Sequence, residues 1–350
     1  MFKAIDGLRE HVEITNTTME NAVGGIWGSR QYFIDALTEI AGYKAGVVLT
    51  EVELYEILRD QDDIARILDP DGQGGGRLHS SVVEEAVVTL LHRLGNTPSD
   101  RNIPITIEMF HKYRRTDNKK IYSDLMDAFV RFCKSDNKVT ENREIDPSSL
   151  MSEMFERHGS IGGEMALELI KGINRDMHRS AWTSIRNIEW RDTVELDGLF
   201  KSAGLETMHA KFFDQRYVDY LSQNFDKVDD MHWRKFEGFT AEFFEREGFH
   251  VRLGPGSNDD GVDLRVYPSD ADPTQPPMIL VQCKRQKAKI EKALIKSVYA
   301  DVLHEKASSG LIVTTSTLSP GAEATRTARS YPIEAADRAT LRTWIDQLRS

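Results

Sequence analysis

Residues 278–284 read Met-Ile-Leu-Val-Gln-Cys-Lys, an apolar run closing on Gln282, Cys283 and Lys284. Such a run without alternation predicts a strand covered on both faces, at the centre of a sheet. Side chains alternate along a strand, so Gln282 and Lys284 share one face and Cys283 takes the other. Upstream, Val262-Asp263-Leu264-Arg265-Val266 alternates and predicts a second strand, with Asp263 on the face opposite Val262 and Leu264. Phe249-His250-Val251-Arg252-Leu253 predicts a third, separated from it by the turn-rich GPGSNDDG of 254–261.

Before these strands, residues 230–248 (DMHWRKFEGFTAEFFEREG) predict one helix, opened by an aspartate cap and stopped by glycine. Trp233, Glu237, Ala241 and Phe244 recur on one stripe, so Glu237 shares a face with aromatics, where a carboxylate is unusual. Lys235, Glu242, Glu245 and Arg246 fall toward the other side and read as solvated charges. Beyond Lys284, the stripe Ile290, Leu294, Val298 and Val302 predicts a helix packed on the sheet. Residues 311–315 predict another buried strand, followed by a helix from Pro320 that carries Arg326 and Arg329. Tyr331–Ile333 adds a short strand, and Leu341, Trp344, Ile345 and Leu348 mark a closing amphipathic helix.

Asp263 followed by Gln282 and Lys284 on the next strand has a chemical logic. A carboxylate holds a hard divalent cation through oxygen, and Gln282 supplies a second oxygen. The Lys284 ammonium can orient an attacking water and stabilise charge developing on phosphate. The order of FEGFTAEFFEREGF, NDDGVDL, VQCKRQK and GLIVTTSTLSPGAEATRTA within residues 232–350 resembles the Mrr-like branch of the restriction-endonuclease superfamily. The core of that superfamily is the PD-(D/E)xK nuclease fold. The resemblance implies that Asp263 binds metal, that Gln282 takes the place of the family's Glu or Gln, and that Lys284 is its lysine. Glu237 matches the helix glutamate, which can supply the acidic function missing when glutamine replaces glutamate. The implied metal set is thus Asp263, Gln282 and Glu237, the cofactor Mg2+ with Mn2+ able to substitute, and the substrate DNA. One departure stands out: the family commonly has a Gly-Asp-Gly-Gly type of turn, where this chain reads Asn258-Asp259-Asp260-Gly261. Asp260 there reads as a turn residue.

Lys284, Arg285, Lys287, Lys289, Lys292 and Lys296 crowd thirteen residues, opposed only by Glu291. Arg285, Lys287, Lys289, Lys292 and Lys296 are therefore the candidate phosphate contacts. The chain's net charge of −11 hides this, because residues 231–350 sum to +1 and residues 1–230 to −12. DNA contact is expected in the C-terminal third, while the acidic remainder favours protein contacts. A local patch, Lys112, Arg114, Arg115, Lys119 and Lys120, is the exception within it.

That remainder reads as helices. Leu54, Ile57, Leu58, Ile64, Ile67 and Leu68 form one stripe, and Val82, Val83, Val87, Leu90, Leu91 and Leu94 another. Asp69–Arg77 opens like a calcium loop but has Ser80 where the bidentate glutamate belongs, so it reads as a glycine-rich turn. The polar stretch 134–147 predicts a connection between two helical bundles, with Ser148 or Ser149 capping the next helix. No apolar stretch approaches membrane-span length, the N-terminus lacks a signal-peptide pattern, and Cys133 and Cys283 suit a reducing compartment. A cytoplasmic protein without membrane association is expected. The glycines of 254–261 lack the Gly-Lys-Ser/Thr of a nucleotide loop, and no His-Glu-x-x-His pair occurs. His209 and His232 read as surface or packing histidines.

The expected architecture is multidomain α and α/β. Residues 1–229 form a mainly helical regulatory or recognition region, and residues 230–350 a restriction-endonuclease-like α/β domain with a mixed central sheet. The expected activity is Mg2+-dependent DNA endonuclease action, by resemblance in prokaryotic restriction or anti-phage defence. The helical region would control targeting or activation, through a homo-oligomer or a defence-system partner. Two other readings share these residues: a non-catalytic nucleic-acid or partner-binding module on a nuclease fold, and a structure-specific repair nuclease or resolvase.

Overall fold

The computed structural model describes residues 24–72, 74–134, 144–256, 261–272 and 274–349. Asn258, Asp259 and Asp260, and most of the connection expected at 134–147, lie outside the described residues. The described chain divides into two compact units, the first ending at Trp190 and the second comprising Gly46–Leu49, Arg93–Asn96 and Arg191 onward. The sequence break at 229/230 falls inside the second unit, at the end of a 3-10 turn, Phe225–Asp229. No helix among the described residues is long and apolar enough to cross a membrane.

In the first unit, strand β1 (Gly25–Gly28) pairs antiparallel with β2 (Gly76–His79). Around them lie α1 (Arg30–Ile40), α2 (Glu51–Leu58), α3 (Asp62–Leu68) and α4 (Ser80–Arg93). Their apolar stripes are buried, as the spacing requires: Leu54, Leu58, Ile64, Ile67 and Leu68 of α2 and α3, and Val83, Val87, Leu90 and Leu91 of α4. The turn before β2 carries Gly74 and Gly75 at φ +55 and +126, angles that favour glycine. A second core joins α5 (Ile105–Tyr113), α6 (Lys119–Cys133) and α7 (Ser148–Arg179) through Met109, Leu125, Leu150, Met154 and Leu169. Pro147, not Ser148 or Ser149, occupies the cap position of α7, and the Asp146 carboxylate accepts from the Ser148 N–H at 2.9 Å. Gly159 breaks α7 with φ +66.

The second unit is built on a five-stranded mixed sheet ordered β3-β4-β5-β6-β7: His250–Leu253, Leu264–Tyr267, Ile279–Lys284, Ser309–Thr314 and Ile333–Ala336. The first two pairings are antiparallel and the last two parallel. The apolar run of 278–284 is thus the middle strand. Helix α8 is Gln215–Gln223, α9 Trp233–Arg246, α10 Lys292–Glu305, α11 Pro320–Ala328 and α12 Arg338–Arg349. Leu280 and Ile312 pack with Ile295, Val298 and Val302 of α10 on one face of the sheet. Cys283 points to the opposite face, where its thiol lies 3.6 Å from Thr240 Oγ1 of α9. On that side the Phe243 ring stacks on Trp344 of α12 with centroids 4.0 Å apart.

Helix α9 departs from the amphipathic picture. Lys235 and Glu242, expected in solvent, are only 8% and 3% exposed. Residues 205–213 cover that side: a methyl group at Gly238 would come within 2.7 Å of Leu205 and 2.8 Å of the Phe212 carbonyl. Glu242 is buried because it is used. One of its oxygens accepts from the backbone N–H groups of Lys211, Phe212 and Phe213, and the other from Arg246 Nε at 2.8 Å. The Lys235 ammonium lies 5.2 Å from the centre of the Tyr217 ring, and burial lowers its pKa. The helix opens on His232, whose ring accepts from the Arg234 N–H at 3.1 Å, rather than on Asp230.

Candidate active site

The site is assembled where β4 separates from β5. The Asp263 N–H donates at 3.0 Å to the carbonyl of Val281, the residue that Leu264 already faces, so the regular register ends there in a bulge. The next ladder donor on β5, the Cys283 N–H, goes to Asp263 Oδ2 at 2.6 Å. A side-chain oxygen thus takes the position that a backbone carbonyl would fill. Asp263 and Gln282 are both buried, and Lys284, two residues farther along the same face as Gln282, is half-buried. The turn entering this segment carries Gly261 at φ +90, and a methyl there would lie 3.3 Å from Gln282 Nε2. Gly261 thereby leaves room for the Gln282 amide.

Glu237 lies on α9, the helix on the Cys283 side of the sheet. It is buried, and its Oε2 accepts from Arg234 Nη1 at 2.6 Å, one turn earlier on the same helix. Sequence reasoning misses Arg234, although its spacing to Glu237 is that of a helical ion pair. The Cys283 thiol reports on the shared electrostatics. Burial pushes its pKa well up, the charges of Asp263 and Glu237 add to this, and Thr240 and Lys284 act in the opposite sense. Asp263, Glu237 and Lys284 are therefore all within electrostatic reach of one atom. The described residues contain no group of three or more His, Cys, Asp or Glu side chains arranged to hold an ion.

The basic flank splits into two kinds of residue. Lys287, Lys289, Lys292 and Lys296 are exposed. Arg285 is exposed as well, but its guanidinium donates to the Asp229 carbonyl at 2.7 Å. The loop between β5 and α10 is held by hydroxyls at the end of β6. Thr314 Oγ1 donates to the Lys284 carbonyl at 2.8 Å, Thr315 Oγ1 accepts from the Gln286 N–H at 3.2 Å, and Ser316 Oγ donates to the Lys287 carbonyl at 3.2 Å. The signal for this support is the hydroxyl-rich TTSTLS at 314–319, which by pattern alone reads only as the end of a strand and the start of a helix.

Comparison with known families agrees with this architecture. Residues 228–345 match the Mrr_cat family model, described as a restriction endonuclease. The match begins just before α9 and ends within α12, so it spans the five-stranded sheet with α9, α10, α11 and part of α12, while α8 and residues 1–227 as a whole lie outside it. A protein of Sinorhizobium fredii (strain NBRC 101917 / NGR234), the uncharacterized protein y4cE, is 28% identical over 95 residues, or 27% of this chain. The aligned stretch spans only 24% of that protein's length. Among solved structures, the MspJI restriction endonuclease in complex with a 27-mer oligonucleotide aligns at 17% identity with a TM-score of 0.26, covering 52% of this chain and 40% of its own.

Proposed function

We propose that this chain is a Mg2+-dependent DNA endonuclease whose reaction is carried out by Glu237, Asp263, Gln282 and Lys284. The carrying observation is the Asp263 carboxylate, held by the backbone N–H of Cys283 between Gln282 and Lys284, in a segment that matches a restriction-endonuclease model. The donor set suits a hard cation. Mg2+ is commonly bound through one or two carboxylates with substrate phosphate and water completing its shell, so Asp263 and Glu237 with the Gln282 oxygen provide enough. Mn2+ has the same oxygen preference. When bound, the cation supplies Lewis acidity toward the phosphate oxygens.

The chain's own residues do the rest. Asp263, fixed by the Cys283 N–H, presents a carboxylate that needs no reorientation. Arg234 fixes the rotamer of Glu237. Lys284 orients the attacking water and stabilises the charge developing on the phosphate. Exposed Lys287, Lys289, Lys292 and Lys296, with Arg285, neutralise neighbouring phosphates. Residues 1–229, carrying most of the negative charge, act as the controlling region through a second copy or a protein partner, in a cytoplasmic restriction or anti-phage setting. The test is cleavage of linear duplex, methylated duplex, single-stranded and branched DNA by the full chain, with and without Mg2+. Cutting that requires Mg2+ and disappears in Asp263→Ala is expected; undiminished cutting by Asp263→Ala overturns the assignment.

A further inference from the structure

One large aromatic stands open on α9, one turn before Glu237. Trp233 is 43% exposed, in a helix otherwise buried on nearly every side. It lies four residues before Glu237, so its ring is on the same face of α9, one turn nearer the helix N-terminus. Its exposure is not a fraying end, because the His232 cap fixes the first turn. The loop after β3 also bears on the ring: a methyl at Gly256, where φ is +82, would come within 3.3 Å of Trp233 Cη2 and 3.1 Å of Arg234 Nη1. The ring is therefore held at its edge.

Its surroundings are polar, with Arg234 of the same turn paired to Glu237 at 2.6 Å. His232 lies beside it, with ring centroids 5.3 Å apart. Burial lowers the His232 pKa, with the charges of Arg285 and Lys235 acting in the same sense, so this ring is the neutral partner and Arg285 the exposed cation nearby. Arg285 also anchors to Asp229, immediately before the helix. A half-open indole beside a neutral imidazole, with exposed Arg285 nearby and the proposed catalytic Glu237 one helical turn on, matches the chemistry of an unstacked nucleobase whose phosphate meets that guanidinium.

We infer that Trp233 is a stacking platform for an unpaired base next to the scissile phosphate, so that the preferred substrate is DNA with a gap, mismatch or single-stranded stretch at the cut. This rests on the nuclease reading and narrows it. Fully paired duplex would still meet Lys287, Lys289, Lys292 and Lys296, but would have no free base face to offer.

The experiment measures binding of the full chain, in EDTA, to an intact duplex and to the same duplex with a one-nucleotide gap carrying 2-aminopurine opposite it. Trp233→Ala is expected to weaken gapped-duplex binding by about 5- to 150-fold and to reduce the preference for gapped over intact DNA. Trp233→Phe, which keeps a ring, is expected to retain that preference. Should the alanine variant fail to fold, the wild-type 2-aminopurine signal decides: emission that changes on binding supports stacking, and unchanged emission overturns it. Equal losses on both DNAs, or none, also overturn it. Mg2+-dependent plasmid cutting by the wild type separates the two layers. If the wild type cuts while Trp233→Ala shows no selective loss, the platform fails and the nuclease reading stands; if the wild type neither binds nor cuts DNA, both fall.

Discussion

The Cys283 backbone N–H donates to Asp263 Oδ2 at 2.6 Å, which makes the proposed metal-binding carboxylate a structural link between β4 and β5. Its two roles separate by substitution. Asp263→Asn can still offer an oxygen to the N–H, so it should abolish cleavage with little loss of stability. Asp263→Ala leaves that donor without its acceptor and should cost about 1–3 kcal/mol in addition. Urea unfolding beside a plasmid assay checks both halves.

Lys284 is expected to act on the reaction more than on binding. Lys284→Met keeps the stem and removes the charge, and should lower the single-turnover cleavage rate by roughly 10²- to 10³-fold. Affinity for DNA measured in EDTA should change far less, since the exposed lysines beyond it remain.

Those lysines make a separate prediction about salt. For every phosphate that a removed lysine no longer neutralises, the slope of log affinity against log salt should fall by about 0.9 on duplex DNA. Lys287→Gln with Lys289→Gln should therefore flatten the titration without changing the cleavage rate at saturating DNA. An unaltered slope would place both side chains off the binding path.

Glu242 is expected to matter for folding and not for catalysis. It ties the backbone of residues 211–213 to α9 and holds Arg246. Glu242→Ala strands buried donors and should cost about 3–5 kcal/mol, read as a lower urea midpoint.

The acid limb of stability should carry the signature of Asp214. Burial acts to raise its pKa, but hydrogen bonds from Arg216 and Thr207 and the Arg216 charge outweigh it and hold the pKa below the ordinary value. On acidification the unfolded chain therefore takes up this proton before the folded one. The stabilisation is complete above about pH 4 and is lost as pH falls below that value. Asp214→Asn should flatten the profile there, measured by unfolding between pH 2 and 6.

The central strand, with Gln282 and Lys284 on it, was legible in the sequence because an apolar run is a local signal, whereas Asp263 falls just before β4 and not within it. The burial of Glu237 was legible because a carboxylate on an aromatic stripe is anomalous. The burial of Lys235 and Glu242 was not, since it depends on residues 205–213 covering a helix face far along the chain. Nor was the Arg234 pairing with Glu237, where an ordinary spacing gains meaning only from burial. The His232 cap was masked by Asp230, a better capping residue by type that instead follows the 3-10 turn at 225–229.

The hydroxyls of Thr314, Thr315 and Ser316 have a thermodynamic consequence for the basic loop. Because they hold backbone groups of residues 284, 286 and 287, that stretch gives up its conformational freedom when the chain folds, not when it meets a ligand. What remains to be ordered on association is the lysine side chains, up to about 2 kcal/mol each. Association through this loop should therefore carry a small entropic penalty and a large ionic-strength dependence, the thermodynamic profile of a preformed cationic surface.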